Sequence, residues 1–193
     1  MSKIAVFGGT FNPFHIGHFK MLESLCRQDF LDKIFILPDK IPPHKVCDYL
    51  AEDKHRIEMC RIICEDFPKA SLCLIDFERE GKSYTVDTIK ALKEKYPEDE
   101  FYFVIGGDML KTLNEWYHYE ELIKEIGFIA FSRQSVKGFE ENLEKYRGLG
   151  ADIIAIYDEI PDVSSSKFRK EKLKEILPEK IYNYIKEKGI YNA

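Results

Sequence analysis

Several things are scarce or missing in this sequence, and each shortage narrows what the chain can be. No window of about 18 apolar residues occurs, so no stretch has the make-up of a membrane-spanning helix. Internal repeats and low-complexity stretches are missing, which sets aside solenoids and disordered tails. Positive charge is not in excess: 29 Lys and Arg against 34 Asp and Glu leave a formal charge of -5. A surface of that sign does not draw nucleic acid, and an anionic ligand has to find a local cluster of cations. Cysteines number five (Cys26, Cys47, Cys60, Cys64, Cys73), without the paired CxxC spacing of a structural zinc site. Cys60 and Cys64 share a helix face, but two thiols alone hold no metal, so all five read as small apolar residues dispensable for chemistry. The opening Met1-Ser2-Lys3, directly ahead of a short strand, holds too few apolar groups for a signal peptide, and a cytoplasmic protein is expected.

What is present suits a folded α/β protein. The chain has 193 residues, 45% hydrophobic and 33% charged, enough for one well-buried domain spanning 1–193. Apolar runs at Ile4–Phe7, Ile34–Leu37, Leu72–Phe77, Phe101–Ile105, Phe128–Phe131 and Ile153–Ile156 read as strands. Helix-periodic stretches lie between them, near 15–28, 54–66, 84–95, 107–125 and 139–146. Two more follow, at 165–176 and at 178–188, the latter with Pro178 in its first turn and Gly189 just past its end. Alternation of this kind predicts a doubly wound, mainly parallel sheet with helices on both faces. In such sheets ligands bind beyond the carboxyl ends of the strands. That rule selects the loops 8–14, 38–49, 78–84, 106–108, 132–138 and 157–166.

Five of those loops carry chemistry. The segment GGTFNPFHIGH (8–18) is neither a P-loop nor GxGxxG; it reads as a strand that turns at Gly8 and Gly9 and resumes as a helix near His15. Glycine there lets backbone N–H groups approach a phosphate, at the positive end of the helix that follows. His15 and His18, three apart, share a face of that first turn. The pair lacks the spacing and the glutamate of HExxH, so phosphate oxygens suit it better than a metal ion.

LPDKIPPHK (37–45) presents His44 and Lys45 on a loop stiffened by prolines. SYTVDT (83–88) begins a helix, with Ser83 or Thr85 as candidate N-caps. In IGGDML (105–110), Asp108 either accepts from ribose hydroxyls or caps the next helix. Trp116, the only tryptophan, stacks on a planar ring or packs between helices. SSSKFRK (164–170) opens a helix with three hydroxyls, Lys167 and Arg169, a set suited to a polyphosphate.

Together, HxGH at 15–18, PPHK, SYTVDT, GGDML with Trp116, and the late SSS…R resemble the bacterial nicotinate-nucleotide adenylyltransferases of the HxGH nucleotidyltransferase superfamily. The match runs in order from Gly8 to Arg169. It implies a Rossmann-like fold and transfer of the adenylyl group of ATP to nicotinate mononucleotide, releasing pyrophosphate and forming nicotinate adenine dinucleotide for NAD biosynthesis. By resemblance, His15, His18, Lys45 and Arg169 are catalytic. Gly8, Gly9, Thr10, Phe11, Ser165 and Ser166 join His15, His18 and Arg169 at ATP. His44, Lys45, Thr85, Asp108, Trp116, Tyr117 and Arg133 face the mononucleotide.

Mg²⁺ is expected to arrive with ATP, no protein metal site being implied. Neither nucleic acid nor membrane is expected as a partner, and homo-oligomerisation stays open. Position 12, often Asp in that family, is Asn12; a neutral amide beside a triphosphate is electrostatically harmless. A sister transferase with another acceptor, a nucleotide sensor and a metal-dependent hydrolase are the competing readings.

Overall fold

Ile4, Ala5, Val6 and Phe7 are buried on both sides of the chain, and the two sides lead to different cores. Ala5 and Phe7 pack into one apolar cluster, Ile4 and Val6 into the other. A strand alternates its side chains between two faces, so a continuous apolar run buried on both faces marks a central strand of a covered sheet. That is the position of β1 (Lys3–Gly9) in this computed structural model, which describes residues 1–40, 49–132 and 137–192. His44, Lys45, Cys47 and Arg133 lie outside the described residues.

After β1 come α1 (Ile16–Cys26), β2 (Lys33–Pro38), α2 (Asp53–Cys64), β3 (Ala70–Leu72), α3 (Thr85–Lys95) and β4 (Glu100–Gly106). The remainder is α4 (Gly107–Lys111), α5 (Tyr119–Glu125), β5 (Gly127–Phe131), α6 (Phe139–Gly148), β6 (Ile153–Ile156), α7 (Ser165–Glu171) and α8 (Glu179–Lys188). Among the described residues six strands form one sheet in the order β3-β2-β1-β4-β5-β6, every pair parallel. Residues of α1, α2, α7 and α8 fill the Ala5–Phe7 face, and those of α3 to α6 the Ile4–Val6 face. This is the doubly wound sheet expected from the alternation. The order reverses between β1 and β4, where such sheets open a crevice at their carboxyl ends. Among the described residues no helix is long and apolar enough to cross a membrane.

Six local expectations are corrected. The strand expected over Leu72–Phe77 is shorter and earlier: Cys73 N–H makes a last bond to Ile36 O, and Ile75–Phe77 is a 3-10 turn. β3 has one neighbour only, so little holds its end in line. The buried Asp76 turns instead to the Thr88 hydroxyl, which donates to it at 2.7 Å. The helix expected over 107–125 is broken. Trp116 is extended, His118 is left-handed (φ 53°), and the Asn114 N–H donates to the Tyr146 hydroxyl at 3.0 Å.

Neither Ser83 nor Thr85 caps α3. Its N-cap is Tyr84, and the Ser83 hydroxyl accepts from Lys40 N–H at 3.1 Å instead. Nor does Asp108 cap α4, whose N-cap is Gly106; Asp108 lies inside the first turn. The stretch 165–176 stops at Glu171 because Lys172 adopts φ 57°, and a 3-10 turn follows at Lys174–Ile176. Pro178 is the N-cap of α8 rather than within its first turn, while Gly189 ends that helix in the left-handed conformation as expected (φ 60°).

Candidate active site

β1 does not turn at its glycines. Gly8 and Gly9 stay in the ladder opposite Leu37 and Pro38, and the reversal begins only at Phe11 (φ 46°). Glycine is needed for closeness instead: a Cβ at Gly8 would sit 2.9 Å from the Phe103 ring. The Phe11 ring is buried, stacked on Phe14 at 5.0 Å, and both rings flank His18 at 5.0 and 5.1 Å. Phe11 therefore supports the site with its side chain, and offers a ligand only its backbone.

His15 and His18 cap each other at the start of α1. His18 N–H donates to His15 Nδ1 at 3.3 Å, and His15 N–H donates to His18 Nδ1 at 3.2 Å. The rings stack face to face, centroids 3.6 Å apart. A neutral imidazole whose Nδ1 accepts must carry its proton on Nε2. Both rings are thus fixed with Nε2–H as a donor. His15 is the N-cap and is buried, while His18 is only partly buried. Gly17 lies between them because a Cβ there would approach the His15 ring to 3.1 Å and Val163 Cγ2 to 3.2 Å.

The late motif meets this loop across more than 150 residues of chain. Ser165 Oγ donates to Pro13 O at 2.8 Å, and Arg169 Nη1 donates to Asn12 O at 2.6 Å. Arg169 Nη2 also reaches Ser166 Oγ at 3.2 Å, and Ser164 caps α7 by accepting from Lys167 N–H. Asn12 is not directed into the cleft. Its buried amide donates to Tyr49 O (2.7 Å) and accepts from Ala51 N–H (3.1 Å) and Tyr191 Oη (2.8 Å). The carboxamide is a structural clip, which corrects its expected place beside a triphosphate.

A cleft of about 540 Å³ opens beside this cluster, at the reversal of strand order. Gly8, Gly9 and Thr10 line it together with Thr85, Trp116 and Tyr117. Trp116 lines the cleft and packs edge-on against Phe103 of β4, centroids 5.9 Å apart, rather than between helices. Tyr117, half-exposed, lies over Tyr84 at 4.6 Å. Asp108 is exposed just beyond β4 and does not line this cleft. The acids Asp39, Asp76 and Glu115 do line it. The first turn of α3 begins at Thr85 on the cleft wall, and among the described residues no side chain caps it. Its N–H groups offer a patch of positive potential there.

One important residue was not foreseen. Arg56, fully buried, donates through Nη1 to Thr10 O (3.0 Å) and Asp39 O (2.8 Å), and through Nη2 to Asp53 Oδ1 (2.6 Å). Thr10 Oγ1 donates to Asp39 Oδ2 at 2.9 Å, so a triangle ties the chain just past β1 to the end of β2. Arg56 shares the buried stripe of α2 with Met59, Cys60 and Ile63, and a charged residue on an apolar stripe was the available signal. Among the described residues Cys60 is a buried free thiol and Cys26, Cys64 and Cys73 are partly buried ones, each pushed up by burial, Cys64 to about 11.

The chain matches the cytidylyltransferase-like family over residues 6–171. It is 40% identical to a probable nicotinate-nucleotide adenylyltransferase of Bacillus pumilus and 38% identical to the nicotinate-nucleotide adenylyltransferase of Bacillus subtilis, each over the whole of both chains. Among solved structures it resembles a Plasmodium falciparum nicotinic acid mononucleotide adenylyltransferase complexed with NaAD, with a TM-score of 0.82 and 26% identity, over 100% of this chain and 98% of that one. A stacked histidine pair at the start of α1, a late Ser-Arg segment docked on the loop before it and full-length similarity to these enzymes agree: the chain belongs to the cytidylyltransferase-like nucleotidyltransferases and, within them, to the nicotinate-nucleotide adenylyltransferases.

Proposed function

We propose that this chain, acting as one cytoplasmic nucleotidyltransferase unit, moves the adenylyl group of MgATP onto nicotinate mononucleotide, yielding nicotinate adenine dinucleotide and pyrophosphate. The observation that carries the reading is the reciprocal His15–His18 cap, which fixes two Nε2–H donors at the start of α1, the helix that follows the strand bordering the cleft. The phosphate of the mononucleotide has a second pKa near ~6 and is already ionised at neutral pH, so in-line attack on the α-phosphorus requires no general base. What remains is to hold two anions together and to stabilise the charge that develops between them.

His18, the more exposed of the pair, donates to that developing charge. His15 orients it and donates beside it. Arg169, Ser165 and Ser166 border the ATP phosphates, and Lys45 supplies a further cation. Mg²⁺ is part of the ATP substrate, held by its phosphates and by water.

The nicotinyl end occupies the 540 Å³ cleft against Trp116. An acidic cleft would disfavour a nicotinate carboxylate unless a donor group met it. The first turn of α3 at Thr85 supplies such donors, as helix N-termini do for anions, and favours nicotinate over the uncharged nicotinamide. Tyr117 closes over the ring, while His44, Asp108 and Arg133 serve the remainder of the mononucleotide.

Pyrophosphate release, measured with MgATP and a panel of nicotinate mononucleotide, nicotinamide mononucleotide and phosphopantetheine, tests the reading. Turnover with nicotinate mononucleotide well above the others is expected. Preference for another acceptor, or ATP binding without pyrophosphate, would overturn it. Arg169→Ala should raise the KM for ATP and leave the fold intact; unchanged ATP kinetics would remove the late motif from the site.

A further inference from the structure

Tyr191, two residues from the last position of the sequence, is buried and adopts φ 61°, with Asn192 following at φ 55°. Two successive non-glycine residues in the left-handed region are costly and persist where surrounding contacts over-determine them. Those contacts are specific. The Tyr191 hydroxyl donates to Asn12 Oδ1 at 2.8 Å, and its carbonyl accepts from Lys172 Nζ at the end of α7. Its ring meets Phe168 edge-on at 5.9 Å and Tyr49 at 5.5 Å. Burial in this setting pushes the phenol far above its ordinary pKa, so it stays a donor.

Two partners of Tyr191, Asn12 and Phe168, belong to the segments assigned to ATP. Asn12 Oδ1 has two donors, Tyr191 Oη and Ala51 N–H, which set the orientation of the amide; its Nδ2 then faces Tyr49 O. The carbonyl of the same Asn12 receives Arg169 Nη1. Phe168, one residue before Arg169, is fully buried against the Tyr191 ring. The end of the chain thus fixes both the acceptor of the Arg169 guanidinium and the helix that carries Arg169. We propose that Tyr191 is a positioning residue of the ATP site: through Asn12 and Phe168 it sets where Arg169 presents its charge. This rests on the assignment of Arg169 to ATP made above.

Tyr191→Phe removes one hydroxyl and leaves the ring packing. Loss of one neutral hydrogen bond that orders a charged group predicts a rise of about 3- to 10-fold in the Kd for MgATP, read by calorimetry without acceptor, and in the KM for MgATP. The acceptor KM should stay within about twofold. Tyr184→Phe is the control: its hydroxyl pairs with His55 Nδ1 at 2.8 Å between α8 and α2, so it can cost stability without shifting ATP.

Wild-type protein supplies a second readout, because coupling is reciprocal. Saturating MgATP should slow hydrogen exchange of the Ile190 amide, which donates to Ile185 O at 3.2 Å. An MgATP Kd within twofold of wild type, equal rises for both substrates, the same rise in Tyr184→Phe, or tail exchange indifferent to MgATP would each overturn the proposal. Because MgATP binding is read without acceptor, a wrong acceptor assignment leaves this test intact. An Arg169→Ala protein with normal ATP affinity would instead remove the reading beneath it.

Discussion

His15 and His18 hold each other before they hold a ligand, so at the residue scale capping and catalysis cannot be separated by deletion alone. His18→Ala removes an Nε2–H donor and is expected to lower turnover about 10²–10³-fold, as for one lost oxyanion-type donor, with ATP affinity changed by no more than about tenfold. It also removes the acceptor for His15 N–H, at a cost of about 1 kcal/mol in stability. His18→Asn discriminates the two, since a carboxamide oxygen can replace the Nδ1 acceptor and nothing replaces Nε2–H. The expected result is a melting temperature near wild type with turnover still low; recovery of both would return His18 to a purely structural part. Gly17→Ala makes the complementary test. Helix propensity favours alanine by about 1 kcal/mol, while its methyl has to displace the His15 ring or Val163 by a few tenths of an ångström. Stability should stay within about 1 kcal/mol of wild type while turnover falls about tenfold, because misplacing a donor costs rate rather than folding. Unchanged turnover would mean that the ring position is not critical.

At the scale of elements, legibility followed burial. β1, β2, β4 and β5 read directly from the sequence because central parallel strands are covered on both faces and become unbroken apolar runs. β3 did not, since the 3-10 turn at Ile75–Phe77 takes Ile75 into the core and Asp76 to the cleft wall, whereas β6, the other edge strand, kept its expected bounds. The break at Trp116 was equally silent: the Asn114 N–H that a continuous helix would have used is taken by Tyr146, 32 residues away. Arg56 had a legible signal that periodicity alone supplies, a guanidinium in step with Met59 and Ile63 on the inner face of α2. Its removal carries a prediction for the element it ties down. Arg56→Met removes the donor to Asp39 O and Thr10 O and should cost about 2–4 kcal/mol, toward the low side of the range for a buried pair because Asp53 is half-exposed. Urea unfolding measures this; a loss under about 1 kcal/mol would mean that water replaces the guanidinium without penalty.

For the molecule as a whole, the site is a join rather than a segment, and the join was illegible even where its pieces were plain. The motifs at 8–18 and 164–170 could be read as phosphate-binding stretches, yet no local pattern indicates that Asn12 receives both Arg169 and Tyr191. Those contacts come from β1 lying at the centre of the sheet and from α7 and α8 folding back over the face that α1 covers. A ligand seated at such a join binds the folded chain and has no counterpart in the unfolded one, where residues 12 and 169 are far apart. Its binding energy is therefore added to global stability. MgATP at about 100 times its Kd should contribute about 2.7 kcal/mol and raise the melting temperature by roughly 5–10 °C for a chain of this size. In Arg169→Ala at the same MgATP concentration the increase should shrink, because the weaker Kd lowers the degree of saturation. A nicotinate mononucleotide shift measured alone should survive that substitution, since Trp116 and Thr85 line the cleft and Arg169 does not. Loss of both shifts together in Arg169→Ala would show that the two subsites are one coupled unit, and that the arginine organises the acceptor cleft as well as the phosphates.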